Sequence, residues 1–233
     1  MKSFLPILLV LLFINSIFGQ NFKAKTELCV INVLGAKVYE KPNFKSNIIT
    51  ELKAGESLII ENIIQSNDQL EIGEEFSLTG DWIKPKNISG FVFSSNLSDK
   101  NVEIGKSYKG QTHINLLGKL IDQKEQEKLI NSKDGEFHKF YKYKYYENGT
   151  YTYGAWDSCF DHITEYKNLT LNEVYHQMVS DYGALMKENK FWKPIFQEKV
   201  GNIIRFEGEG ATEDLKIELL DKRTIIVSSY DCT

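Results

Sequence analysis

The chain of 233 residues has little proline, 4 in all, and only 3 cysteines. So few prolines exclude a long proline-rich linker. Three cysteines exclude a framework of several disulfides and leave room for a single intrachain pair. Positive charge is not in excess either. Lys and Arg number 28 against 32 Asp and Glu, a net charge of −4, so the basic field that nucleic acid requires is missing. No nucleic-acid partner is expected. The four histidines, His113, His138, His162 and His176, show neither HxH nor HExxH spacing, and no two cysteines are close enough for a zinc knuckle. Neither a metal nor a cofactor is expected.

Long apolar runs are confined to the start. Lys2 precedes a nearly unbroken apolar stretch, Phe4–Ile14, and small residues follow within Ser16–Gly19. This is the layout of a secretory signal peptide over residues 1–19. The run is too short for a comfortable transmembrane helix, which needs about 20 residues. No cysteine follows it directly, so a lipid anchor is not indicated. The expectation is an exported protein, periplasmic or secreted, with no stable membrane insertion once the signal is cleaved. Export permits a disulfide. Cys159 and Cys232 both fall in the C-terminal half and are the favoured pair, whereas Cys29 opens the apolar run CVINVL and reads as a small buried residue.

Tyr (12) and Phe (14) are plentiful and favour β structure. The segment Ala36–Glu56, AKVYEKPNFKSNIITELKAGE, reads as strand, turn at Pro42, strand, turn at Gly55. It resembles the opening of a bacterial SH3-type (SH3b) domain. Gly80-Asp81-Trp82-Ile83-Lys84 and the run Ser89–Leu97, SGFVFSSNL, continue the same pattern, so the resemblance covers about residues 29–97. Residues 65–79 are longer than the pattern usually has, and Tyr39 stands where an arginine is common. The resemblance implies a small, strongly bent β-barrel. It also implies a binding surface built from aromatics that cannot all be internal: Tyr39, Phe44, Trp82, Phe91 and Phe93.

The fold class expected is therefore an all-β SH3-like barrel over 28–98, a linker over 99–112, and an α+β domain over 113–233 with an antiparallel sheet and one long helix. In that second part Asp122–Ile130 is charged and helix-compatible. Glu136–Tyr146 alternates tyrosines and lysines, and Asn148-Gly149 signals a hairpin. Thr170-Leu171-Asn172-Glu173 is a capping box for a helix running to about Glu188. No family resemblance is found for this part.

The function expected is that of an exported binding or interaction module, for cell-wall peptide, glycan or a protein partner. The alternative is a cell-envelope cysteine peptidase of NlpC type using Cys159. Exported SH3-type domains often accompany such enzymes, and Tyr153–Cys159 is faintly similar to their nucleophile motif. Yet Ser158 precedes the cysteine, no Ser-Gly follows it, and a strand would place Cys159 and His162 on opposite faces. No catalytic residue is assigned.

Overall fold

The computed structural model describes residues 22–107, 110–133, 135–186 and 190–232; the leader expected at 1–19 lies outside the described residues. Strand takes up 58% and helix 7%, so the chain is mostly β.

The first half contains β1 (Glu27–Val30), β2 (Ala36–Tyr39), β3 (Ile48–Leu52), β4 (Ser57–Ile64), β5 (Gln69–Gly73), β6 (Phe76–Thr79), β7 (Trp82–Pro85), β8 (Phe91–Phe93) and β9 (Leu97–Ser98), with a 3-10 turn at Ser94–Asn96. Seven of these form one sheet in the order β3-β2-β8-β7-β4-β1-β9, while β5 and β6 make a separate hairpin. Alternation sets the sheet's two faces. Val38, Ile83 and Val92 point inward and join Leu28, Val30, Ala36, Leu52, Leu58, Ile60 and Leu97 in a small core. Their neighbours Tyr39, Trp82 and Phe93 point the other way. Cys29 lies between core residues Leu28 and Val30 and is only half-buried, a correction to the reading of it as an interior residue.

In the second half β10 (Glu103–Lys106) pairs with β11 (Thr112–Asn115). Then follow β12 (Leu120–Ser132), β13 (Gly135–Tyr146), β14 (Gly149–Trp156), β15 (Cys159–Lys167), α1 (Leu171–Tyr182), β16 (Ala184–Leu185), β17 (Phe191–Trp192), β18 (Ile195–Val200), β19 (Ile203–Glu207), β20 (Glu213–Leu219) and β21 (Thr224–Cys232). Eight of them form an antiparallel sheet in the order β12-β13-β14-β15-β21-β20-β19-β18. Three local expectations are corrected here. Residues 122–130 are strand, not helix: β12 is an edge strand wetted on both faces, so no apolar alternation marks it. Part of the stretch read as linker is the strand β10. The helix stops at Tyr182, where the Gly183 N–H bonds to the Val179 carbonyl. A Cβ at Gly183 would stand 2.4 Å from both the Phe191 ring and that carbonyl oxygen, so only glycine lets β16 and β17 close over the helix end.

The helix begins as its sequence predicts. Thr170 Oγ1 accepts from the Glu173 N–H, and the Glu173 carboxylate accepts from the Thr170 N–H. Its apolar stripe, Val174, Tyr175, Met178 and Val179, packs on the sheet residues Tyr166, Ile204, Phe206, Leu215, Ile217, Ile225 and Val227. The opposite side is polar yet also buried. Asn172, Glu173, His176, Gln177 and Ser180 are each at most 3% exposed. Gln177 and Ser180 complete the β11 backbone: the Leu116 N–H donates to Gln177 Oε1 (2.6 Å) and the Ile114 N–H to Ser180 Oγ (2.7 Å). Asn172 Nδ2 donates to the Thr79 carbonyl (2.9 Å), and Ser98 Oγ to Glu173 Oε1 (2.5 Å).

These bonds tie the helix to the first half. So does the hairpin β5–β6, whose Phe76 and Leu78 lie inside the second half's core together with Ile31. Gly73 passes under the Phe196 ring, where a Cβ would come within 2.1 Å. The larger of the two hydrophobic cores is therefore shared by both halves. Phe76→Ala should cost about 3–5 kcal/mol. Urea unfolding followed by Trp82 fluorescence (Trp156 and Trp192 replaced by Phe) and by far-UV circular dichroism should show coincident midpoints that fall together in the variant. A Trp82 midpoint left at its original value would mean independent units.

His176 is buried against the 3-10 turn, hydrogen-bonded to the Ser95 backbone, and its Nε2 has no partner. Burial lowers its pKa to about 4, and the charge of Lys193 adds to the effect. Between about pH 6.5 and pH 4 the unfolded chain therefore holds a proton that the folded chain does not. Stability should fall by about 3 kcal/mol as pH drops through that window and show no further loss from this group below it. The urea midpoint of His176→Gln should lose that part of the pH dependence.

Candidate functional site

Four of the five aromatics singled out from the sequence meet on the outer face of the first sheet. Tyr39 comes from β2, Trp82 from β7 and Phe93 from β8, because each alternates with a core residue. Phe44 comes from the β2–β3 loop. Ring centroids lie 5.3 Å apart for Tyr39–Trp82, 5.9 Å for Tyr39–Phe44, 4.9 Å for Phe44–Trp82, 4.8 Å for Phe44–Phe93 and 5.2 Å for Trp82–Phe93. Edge-to-face and tilted geometries dominate, as ring quadrupoles favour. Phe91 is half-buried, opposite Tyr39 in register, and joins none of these ring pairs.

Trp82 and Phe93 are buried at 0% and 1% exposure although they face away from the core. Their cover is local. The β2–β3 loop folds back through Lys41 N–H to Ser46 Oγ (2.9 Å) and Asn47 Nδ2 to Glu40 Oε2 (3.1 Å), which sets Phe44 over the two rings. From the other side Trp82 Nε1 donates to Asp68 Oδ2 at 2.6 Å. Half-buried Tyr39 and Phe44 form the rim, and burial raises the Tyr39 pKa above its ordinary value. The cluster is thus a packed aromatic patch capped by its own side chain, Phe44.

Cys159 and Cys232 form a disulfide, as expected, across directly opposed positions of β15 and β21. The bond takes up the sulfur that a cysteine nucleophile needs. His162 lies on the other face of β15. Its Nδ1 is 2.8 Å from the Tyr151 hydroxyl and its Nε2 is 3.7 Å from Asp231 Oδ2. Nearby, the hydroxyls of Tyr182 and Ser229 are 2.9 Å apart. Burial pushes Tyr151 up to about 12, so this cluster presents protonated phenols at neutral pH. Sequence reading missed it because its members come from β14, β15, β21 and the helix end. Only strand register brings them together. A cleft of about 560 Å³ lies elsewhere, between β5–β6 and the helix start, lined by Gln69, Glu71, Phe76, Ser77, Leu171 and Lys199. Among the described residues no group of three or more His, Cys, Asp and Glu could hold a metal ion. No helix among them is long and apolar enough to cross a membrane.

Compared with protein-family models, with curated proteins and with solved structures, the chain matches none.

The disulfide closes a loop between residues separated by 73 positions. Cys159→Ser with Cys232→Ser should lose about 2–4 kcal/mol of stability. Thiol titration of the denatured, unreduced protein should find Cys29 alone, and two or three reactive thiols would contradict the pairing.

Proposed function

We propose that this chain is an exported binding protein whose first half is an SH3-type module, with Tyr39 and Phe44 at the rim of its ligand site. The observation that carries this reading is the gathering of Tyr39, Phe44, Trp82 and Phe93 within 4.8–5.9 Å on the side of the sheet opposite its core. Folding alone does not call for a second aromatic cluster outside a complete aliphatic core. Rigid aromatics that offer large contact area at low entropic cost are what binding sites collect. The barrel reading is supported by seven short strands joined in one sheet and by β9 returning to pair with β1.

The ligand class is a cell-wall peptide or glycan, or a protein segment that displaces or extends the Phe44 contact. Phe44 sits on a loop held mainly by polar bonds, so it can move without breaking the core. The cysteine-peptidase alternative has no observation in its favour, because the Cys159 sulfur is bonded to Cys232.

Retention of the full-length mature protein on isolated peptidoglycan sacculi tests the cell-wall version. Phe44→Ala and Tyr39→Ala should each reduce retention at least about five-fold, the scale of losing a contact worth more than 1 kcal/mol. Wild-type protein that is not retained would remove the cell-wall ligand. Equal retention of both variants would remove the cluster as the site.

A further inference from the structure

The large sheet has a second face with no helix against it. Near the β12 edge that face carries Tyr141, Tyr143 and Tyr145 from alternate positions of β13. Lys124 and Lys128 stand beside them from β12. The rings of Tyr141 and Tyr143 stand nearly parallel, 5.9 Å apart and 15° from coplanar orientation, so their rims point outward. The lysine ammoniums fill the spaces. Lys124 Nζ lies 5.0 Å from the Tyr143 centroid and 5.7 Å from that of Tyr145, and Lys128 Nζ lies 5.1 Å from that of Tyr141.

Two features of this arrangement gather positive charge on the face. Lys128 is paired in register with Lys139, and like charges directly opposite one another are destabilising. Lys139 is answered by Asp161, but among the described residues neither Lys124 nor Lys128 has a carboxylate within ion-pair distance. Lys124 hydrogen-bonds the Tyr145 side chain and feels only a weaker attraction from Asp122, whose Oδ1 accepts from the Gln123 N–H. The other face of the same two strands is built differently. There Lys142 pairs with Glu125 at 2.9 Å and His138 with Glu127 at 2.7 Å. On that face Lys142 thus has a carboxylate partner, whereas Lys124 and Lys128 hold their ammoniums over tyrosine rings.

We propose that this face binds an anionic polysaccharide. Exposed ammoniums supply the charge complement for acidic groups. Tyrosine rims between them offer an apolar edge and a hydroxyl, which suits the alternating CH and OH surface of sugar rings. Lys124 and Lys128 are four residues apart on a strand, about 13 Å, so the acceptor is an extended chain rather than a single anion. An acidic polypeptide adding to the open β12 edge is the competing occupant, and the poly-glutamate arm of the test separates the two. The surface is distinct from the aromatic cluster of the first half, and Phe44 has no part in it.

The test uses the full-length mature protein and soluble polygalacturonate, with neutral dextran, poly-glutamate and phosphatidylglycerol vesicles in parallel. Polygalacturonate should bind, and added salt should weaken it. Lys124→Glu with Lys128→Glu should reduce affinity at least about ten-fold and Tyr143→Ala several-fold, with the circular dichroism spectrum unchanged. Lys142→Glu, on the ion-paired face, should have no effect on affinity. Unchanged affinity in the double lysine variant would overturn the proposal. Dextran bound as tightly would overturn the role of charge. Poly-glutamate or the vesicles bound as tightly would overturn the assignment to a sugar polymer.

Discussion

The structure depends on a helix whose polar side is as deeply buried as its apolar side. Asn172, Glu173, His176, Gln177 and Ser180 do not face water; they face the backbone of other elements. Each buried polar group needs a partner, and an orphan costs roughly 1–3 kcal/mol. Thr79, Ser98, Ile114 and Leu116 provide those partners for Asn172, Glu173, Gln177 and Ser180. A hydrophobic interface between two halves can slide; a set of directional bonds with fixed register cannot. The helix therefore locks the first sheet, the β10–β11 hairpin and the large sheet in one arrangement. His176 Nε2 is the exception, an unpaired atom at the centre of this lock.

The two surfaces proposed for binding sit outside this locked centre. The aromatic cluster lies on the outer side of the first sheet, and the tyrosine–lysine face lies on the far side of the large one. Neither is needed to close the core. The cluster is capped by Phe44, whose loop is anchored by polar contacts at its base. Under the proposed function a ligand there would compete with a residue of the chain itself, and its affinity would be the difference between two aromatic contacts.

Much of the fold was legible in the sequence wherever burial is one-sided. Tyrosine–lysine alternation marked β13, and the capping box marked the helix start. Legibility failed where burial departs from that rule. β12 is wet on both faces and shows no period. The helix is buried on both sides, so its polar residues read as a solvent face. Phe76 and Leu78 lie in the stretch 65–79 that exceeds the SH3-type pattern, and nothing in their spacing tells that they fill the core of the other half. For the candidate site, residue type was enough to name Tyr39, Phe44, Trp82 and Phe93. It was not enough to tell that Trp82 and Phe93 lie beneath the other two, or that Phe91 stands apart. The opposition of Lys128 and Lys139 needs strand register, which composition does not contain.

The order of strands in the large sheet sets a timetable for its assembly. β15 and β21 are neighbours at its centre, but the helix and five other strands are synthesised between them. Until residues 224–232 exist, the meander β12–β15 and the meander β18–β20 each present an open edge. At about 5–20 residues per second that interval lasts on the order of seconds, long compared with hairpin formation. Through it the β15 edge stays unpaired, and once β20 (Glu213–Leu219) is made the β20 edge joins it for the short remainder. β21 then fills both vacancies at once, joining two half-sheets that had no earlier backbone contact, and the disulfide at its end seals the seam.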